Sequence, residues 1–143
     1  MRAVPGSLSP SLSAALVPYW TKYTVSEADF TAAAALESIT LYTMVAGEIL
    51  HAIKIKHSTS FTGGAVADYT LEVGIAGDTA KYAGAFDVFQ AVANNTFQLS
   101  FSGGAESHAA GTVIQVTARC ATDDVADAAA GAADIWVLKS RTI

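Results

Sequence analysis

The chain has 143 residues, a net charge of −5 and a hydrophobic content of 52%. This length predicts one domain that can bury a core without disulfides or a metal, and the acidic balance excludes the basic stripe by which proteins bind nucleic acid. No run approaches the roughly 18 apolar residues that a membrane-spanning helix needs, so no membrane contact is predicted.

The first 18 residues differ in composition from the rest. They contain all three prolines of the chain, and serines alternate with other residues between positions 7 and 13. Because proline interrupts helices and central strands, we expect residues 1–18 to form an extended N-terminal arm and residues 19–143 to form the folded domain. The arm's apolar side chains would pack on a neighbouring subunit; a disordered tail is the alternative. Its apolar stretch at 14–17 is too short for a signal peptide.

Short segments of alternating apolar and polar residues follow the arm. Tyr69, Leu71, Val73 and Ile75, for example, alternate with polar residues or glycine. A period of two places the apolar side chains on one face of a β-sheet. We predict strands over residues 19–25, 38–45, 48–57, 69–75, 96–102, 112–120 and 135–138.

Two segments have a helical pattern instead. Tyr82, Phe86 and Phe89 recur at intervals of four and three residues, which predicts one short connecting helix over 79–88. Asp29 is a residue type that caps helices, and it precedes an alanine-rich segment in which we expect a helical turn over 31–36.

The order of these elements predicts an all-β protein. Seven or eight strands are separated by turn residues, and no β-α-β rhythm indicates a parallel sheet. The prediction is an antiparallel β-sandwich, and a jelly roll is favoured over an immunoglobulin-like fold because the Cys…Trp…Cys spacing is absent.

The alternation also assigns faces within two strands. It places Ile39, Leu41, Thr43 and Val45 together on one face of the second strand, and Ile49, His51, Ile53 and Ile55 together on one face of the third.

No catalytic constellation is visible. Glu106, Ser107 and His108 are adjacent, but neighbouring residues of an extended chain point to opposite sides and do not form a triad. The G-x-S-x-G nucleophile pattern is missing. Cys120, the single cysteine, has no evident base and is predicted to be a buried thiol. The sequence therefore predicts a protein that is not an enzyme.

Metal and cofactor sites are equally unsupported by the spacing. The three histidines lack the separation of a ligand pair on one element, and His51 is expected to be partly buried with a partner. Asp123, Asp124 and Asp127 lack the Gly and Glu of a calcium-binding EF-hand loop, so a solvated acidic turn is favoured over a site for a hard cation. We predict no cofactor and no metal.

Aromatic residues and low charge point to contacts with other subunits. Only 15% of the residues are charged, against about 25% in an average soluble domain, which favours a homo-oligomer whose surface is partly covered. The cluster Tyr19, Trp20 and Tyr23 is typical of a core or an interface, with a sugar-binding platform as the alternative. Trp136 has apolar neighbours, so its strand is expected to be covered on both faces.

The order of strands and turn glycines resembles that of the jelly-roll head-decoration (cement) proteins of tailed bacteriophages. The stretches that carry the resemblance are 23–25, 29–31, 38–50, 53–57, 61–64, 69–78, 112–118 and 130–138. The resemblance implies a non-enzymatic virion protein, made in the host cytoplasm, that forms trimers on the capsid exterior and clamps the major capsid protein. The residues predicted to make subunit or capsid contacts are Leu8, Leu12, Leu16, Val17, Tyr19, Trp20 and Trp136.

A second function remains open at this stage. The proline- and serine-rich arm departs from the simplest decoration domains, and it would also suit a tail or head-fibre module that binds a receptor or carbohydrate. In that case the loops around Gly63, Gly103 and Asp123 would form the binding site.

Overall fold

The protein folds as eight antiparallel strands in two sheets, as described by a computed structural model for residues 17–92, 97–107 and 110–141, with the backbone alone for 97–107. The strands are β1 Tyr19–Ser26, β2 Leu36–Thr43, β3 Glu48–Thr62, β4 Thr70–Ile75, β5 Asp78–Asp87, β6 Phe97–Ser107, β7 Val113–Arg119 and β8 Ala130–Arg141.

The strand order is that of a jelly roll. One sheet has the order β1-β8-β3-β6, here the first sheet, and the second sheet has the order β2-β7-β4-β5. Among the described connections only the β4–β5 hairpin stays within one sheet, and the others carry the chain across the sandwich. The predicted all-β antiparallel sandwich is therefore confirmed, and its topology is the jelly roll that the sequence favoured.

The core lies between the two sheets. Its fully buried members alternate along the strands, as period-two packing requires, and include Ile53 and Ile55 on β3, Ile135 and Val137 on β8, and Leu71, Val73, Ile114 and Val116 on the second sheet. Burying one such side chain stabilises the fold by about 1.5–3 kcal/mol, so this layer holds the sheets together.

The pairing register defines two ends of the sandwich. Tyr19 pairs with Lys139, and Glu48 pairs with Arg141, so β1 begins where β8 ends and β3 begins. At this end, here the terminal end, also lie the β2–β3, β4–β5 and β6–β7 turns. The opposite end carries the β1–β2, β3–β4, β5–β6 and β7–β8 connections, which bind one another through backbone bonds such as Val125 N–H to the Ala34 carbonyl, 2.8 Å.

The predicted helix over 79–88 is wrong, because this segment is strand β5. Its register with β4 shifts twice, so extra residues are inserted on β5 and its buried side chains no longer follow a period of two. Tyr82, Ala83 and Phe86 all face the core, which reproduces the spacing of a helix face.

The helical turn expected over 31–36 is also absent. A single 3-10 turn forms earlier, at Glu27–Asp29. Asp29 stabilises it by accepting a 2.8 Å hydrogen bond from the Ser26 backbone N–H, as a capping residue does.

Bulges overturn the predicted faces of β2 and β3. The register of β2 shifts between Thr40 and Tyr42, so Met44 is buried while Val45 is 43% exposed. The register of β3 shifts between Leu50 and Ala52, so Leu50 shares the inner side with Ile53 and Ile55, and Ile49 and His51 are only half-buried. One inserted residue moves every following side chain to the other face.

Candidate interaction surface

The outer side of the first sheet carries two tryptophans and a lysine in contact. Trp136 on β8 pairs with Lys22 on β1 and with Lys54 on β3, and Trp20 pairs with Leu138 in the next outward row. The Lys54 Nζ lies 4.2 Å from the centre of the Trp136 ring and 5.7 Å from that of Trp20. Trp20, Lys54, Trp136 and Leu138 are here called the aromatic patch.

The patch follows from strict alternation along β8. Ile135 and Val137 point into the core, so Trp136 and Leu138 must point outward. A cation over an exposed indole contributes about 0.5–1 kcal/mol, so Lys54 holds the two rings in place beside its charged group. Trp20 remains 45% exposed, a large rigid apolar surface of the type that dominates protein interfaces.

A buried charged cluster supports the same strands from the inner side. The Lys139 Nζ donates a hydrogen bond of 3.0 Å to the Tyr23 hydroxyl and lies 3.5 Å from the Glu48 carboxylate. Its ammonium group also sits 4.1 Å from the centre of the Tyr42 ring. The rings of Tyr23 and Tyr42 stack at 5.3 Å with an angle of 9° between their planes. The cluster thus joins β1, β2, β3 and β8.

Tyr42 is held in its neutral form within this cluster. Burial raises the pKa of its hydroxyl well above the usual value, and the negative charge of Glu48 raises that pKa further. The hydroxyl oxygen has no hydrogen-bond partner in the part of the chain that is described. Tyr42 therefore acts here as an aromatic face for the Lys139 ammonium.

The predicted contact residues divide into three groups. Trp20 and Trp136 are brought together by Lys54. Tyr19, which is 49% exposed, and Val17, which is 60% exposed, lie at the same terminal end, but Tyr19 is on the opposite face of β1 from Trp20. Leu8, Leu12 and Leu16 lie outside the described residues, as does nearly all of the predicted arm.

The sequence reasoning missed the role of two lysines. From the sequence, no contact role is assigned to Lys54 or to Lys139. For Lys54 no local signal exists, because its contact with Trp136 depends on β3 and β8 being neighbours in the sheet. For Lys139 the alternation of β8 predicts an inward position, since Ile135 and Val137 share its parity.

The other chemically interesting residues are engaged in the fold. His51 Nε2 lies 2.8 Å from the Ser140 hydroxyl, which confirms its predicted partly buried, partnered state. His57 is buried and donates from Nε2 to the Gln90 carbonyl at 2.8 Å. Cys120 is buried as predicted, and its thiol donates to the Asp68 carbonyl at 3.1 Å. His108 lies outside the described residues, and the side chains of Glu106 and Ser107 are not described.

The acidic loop between β7 and β8 concentrates negative charge. A side-chain hydrogen bond between Asp123 and Asp127 raises the pKa of Asp127, while the charges of Asp123 and Asp124 act in the same direction. Within residues 17–92, 97–107 and 110–141, no three His, Cys, Asp or Glu side chains are grouped so that they could hold a metal ion. Asp123, Asp124 and Asp127 give this loop its negative charge.

Comparison with known proteins identifies the fold. A chain of the capsid asymmetric unit of cyanophage Pam1 superposes with a TM-score of 0.61 at 21% identity, covering 87% of this chain and 84% of that one. A chain from the acid-stable capsid of the Helicobacter pylori bacteriophage KHP30 superposes with a TM-score of 0.50 at 16% identity, covering 87% of each chain. The fold is one found in phage capsids. The predicted resemblance to phage virion proteins is thus confirmed at the level of structure.

Comparison of the sequence with known proteins does not assign the chain to a family. No protein-family model matches the chain, and no curated protein matches it. As for membranes, the described residues include no helix long and apolar enough to span a bilayer.

Proposed function

We propose that the protein is a structural component of a phage virion, without enzymatic activity, and that it acts as a decoration or cement protein on the outside of the capsid. The observation that carries this proposal is the jelly-roll topology shared over 87% of the chain with chains from two phage capsids. The aromatic patch supports it, because an exposed tryptophan such as Trp20, rimmed by polar residues, marks a protein contact site.

The proposed mechanism is burial of surface across joints between capsid subunits. The protein oligomerises, as a trimer in the simplest arrangement, and its arm of residues 1–18 attaches to the major capsid protein. The chain enters β1 at Tyr19, beside the aromatic patch on Trp20 and Trp136, so the arm would bind the capsid while the patch is left for contacts between copies. Burying such surface would stabilise the shell without chemistry.

Co-sedimentation with purified capsids tests the proposal. The full chain, made in a bacterial cytoplasm, is mixed with capsids that lack it and pelleted through a sucrose cushion. Saturable recovery in the pellet, with added resistance of the capsid to heat, is the expected result. A chain that stays in the supernatant at every concentration would count against a decoration role.

A second function is favoured by one specific observation. Trp20 presents its ring at the surface, as the platforms of carbohydrate-binding modules do, and jelly rolls also occur in lectins. A tail or head-fibre module would bind glycans through such a ring. A glycan array separates the two functions, because a Trp20-dependent signal without capsid binding would favour the receptor-binding role.

A further inference from the structure

Charge is segregated on this molecule. The outward side of β1 and β3 carries three lysines. Lys22 and Lys54 share the row of Trp136, and Lys56 lies in the next outward row, opposite Asp134. The Asp134 carboxylate on β8 accepts a 2.9 Å hydrogen bond from the Thr24 hydroxyl. Among the described side chains of β1, β3 and β8, this outward face thus carries three lysines and one aspartate, a local excess of positive charge around the aromatic patch on a chain with a net charge of −5.

Negative charge is concentrated at the end of the sandwich that lies opposite the terminal end. The β1–β2, β3–β4 and β7–β8 connections meet there, and their described residues include no lysine or arginine. Six carboxylates lie in these connections: Glu27, Asp29, Asp68, Asp123, Asp124 and Asp127. This set is here called the acidic end.

Two other cations among the described residues are engaged by carboxylates outside this end. Arg119, which lies nearest to it on β7, donates from Nε to Glu72 at 2.7 Å, and Lys139 is buried beside Glu48 at the terminal end. The pKa of Asp127 is raised first by its side-chain hydrogen bond with Asp123, and the negative charges of Asp123 and Asp124 beside it raise it further. A surface of positive charge supplied by another molecule would offset these charges.

We infer that the lysine–tryptophan face of one copy docks on the acidic end of a second copy of this chain. The occupant is a second copy because one molecule carries both complementary surfaces. The two surfaces are different, so the contact is heterologous and repeats from copy to copy until a ring closes. This inference rests on the oligomerisation in the proposed function, and it names the residues through which the copies would associate. Trp20 and Trp136 supply the apolar centre, and the lysines supply orientation.

A charge-swap experiment tests this contact on the full chain. One variant carries Lys22→Glu and Lys56→Glu, chosen because both side chains are exposed and Lys54, the lysine whose ammonium group lies over the tryptophan rings, is left in place. The other carries Asp124→Lys and Asp127→Lys. We expect each variant alone to lose at least tenfold in self-association by analytical ultracentrifugation, because like charges then face each other across the contact. Mixing the two is expected to restore assemblies that contain both chains.

The matched control moves the same charges elsewhere. Lys81→Glu and Asp78→Lys lie on β5 in the second sheet, and Asp78 is exposed. These variants should self-associate like the unmodified chain. Salt provides a readout that needs no variant, since raising NaCl from about 0.05 to 0.5 M should weaken wild-type self-association through screening.

The results separate this inference from the proposed function. Charge-swap variants that assemble like the control, or a mixture that stays dissociated, would overturn the contact while leaving capsid binding untouched. A wild-type chain that is monomeric but pellets with capsids through Lys22 and Lys56 would also overturn it and name the capsid as occupant. A monomer that ignores capsids would remove both proposals.

Discussion

The ammonium group of Lys139 on β8 lies 4.1 Å from the centre of the Tyr42 ring on β2, and this contact joins the two sheets at the terminal end. Both partners are buried or half-buried, and the carboxylate of Glu48 on β3 completes the environment of the cation at 3.5 Å. Side chains from β1, β2, β3 and β8 thus meet at one charged group. The cluster packs these four strands together at the terminal end, where the chain enters β1.

Removing one member of the Lys139–Glu48 pair should destabilise the fold strongly. Lys139→Met leaves the buried Glu48 carboxylate without its cation, which costs about 3 kcal/mol. The double variant Lys139→Met with Glu48→Gln removes both charges and should recover part of that loss. Urea unfolding followed by tryptophan fluorescence measures both free energies. Equal stability of the single and double variants would show that the charges do not interact.

How far the sequence predicted the fold depended on whether strands kept a regular period. The side chains of β1, β4 and β8 alternate in direction without interruption, and the sequence predicted each of these three segments to be a strand. The segment 79–88 was misassigned because insertions in β5 give Tyr82 and Phe86 a helical spacing. Bulges depend on the partner strand, and the partner is not visible in a single local window.

The candidate surface was predicted in part for the same reason. The sequence predicted a core or interface position for Trp20 from its aromatic cluster, and a strand covered on both faces for Trp136 from its apolar neighbours. Their common neighbour Lys54 was not predicted, because β1, β8 and β3 are adjacent in space but distant along the chain. Non-local pairing creates the site, and no sequence spacing encodes it.

Gly131 on β8 should tolerate no side chain. A Cβ placed there would lie 2.5 Å from ring carbons of Phe61, and both residues are buried. Gly131→Ala is therefore expected to lower the free energy of unfolding by about 1–3 kcal/mol through overpacking. Gly84→Ala on β5 is the matched control, since a Cβ there meets nothing within 4 Å. Thermal melts of the two variants make the comparison, and equal melting temperatures would contradict the packing.

The Cys120 thiol should be unreactive in the folded protein. Burial, together with the negative charge of Asp68, raises its pKa to about 11. Little thiolate is then present at pH 8, where iodoacetamide should modify the thiol only after urea unfolding. Because the pKa is higher in the folded state, the proton on the thiol stabilises the fold. This stabilisation is complete below about pH 9 and is lost as the pH rises through 11. Mass spectrometry measures the fraction of the chain that is alkylated. Rapid labelling of the folded protein would contradict the prediction, because it would place the thiol at the surface.

Truncating Trp20 should affect binding and leave the fold intact. The ring is 45% exposed and outside the core, so Trp20→Ala is expected to change stability by less than about 1 kcal/mol. It should weaken self-association, and capsid binding through the lost multivalency, at least fivefold. Leu36→Ala is the control, because Leu36 is similarly exposed on the second sheet. Co-sedimentation titrations compare the two. A Trp20→Ala chain that pellets as well as the control would remove the aromatic patch from the contact.

Deleting residues 1–18 should separate attachment from folding. The buried core residues of the described chain all lie between Val25 and Val137, so the truncated chain is expected to keep its β-rich circular dichroism spectrum and a cooperative melt. Its capsid co-sedimentation should fall at least tenfold, since the arm is proposed to supply Leu8, Leu12 and Leu16. The full chain with those three leucines changed to serine is the control, because it keeps the arm's length and prolines. Unfolding of the truncated domain would mean that the arm belongs to the core, whereas undiminished binding by both chains would assign the capsid contact to the folded domain alone.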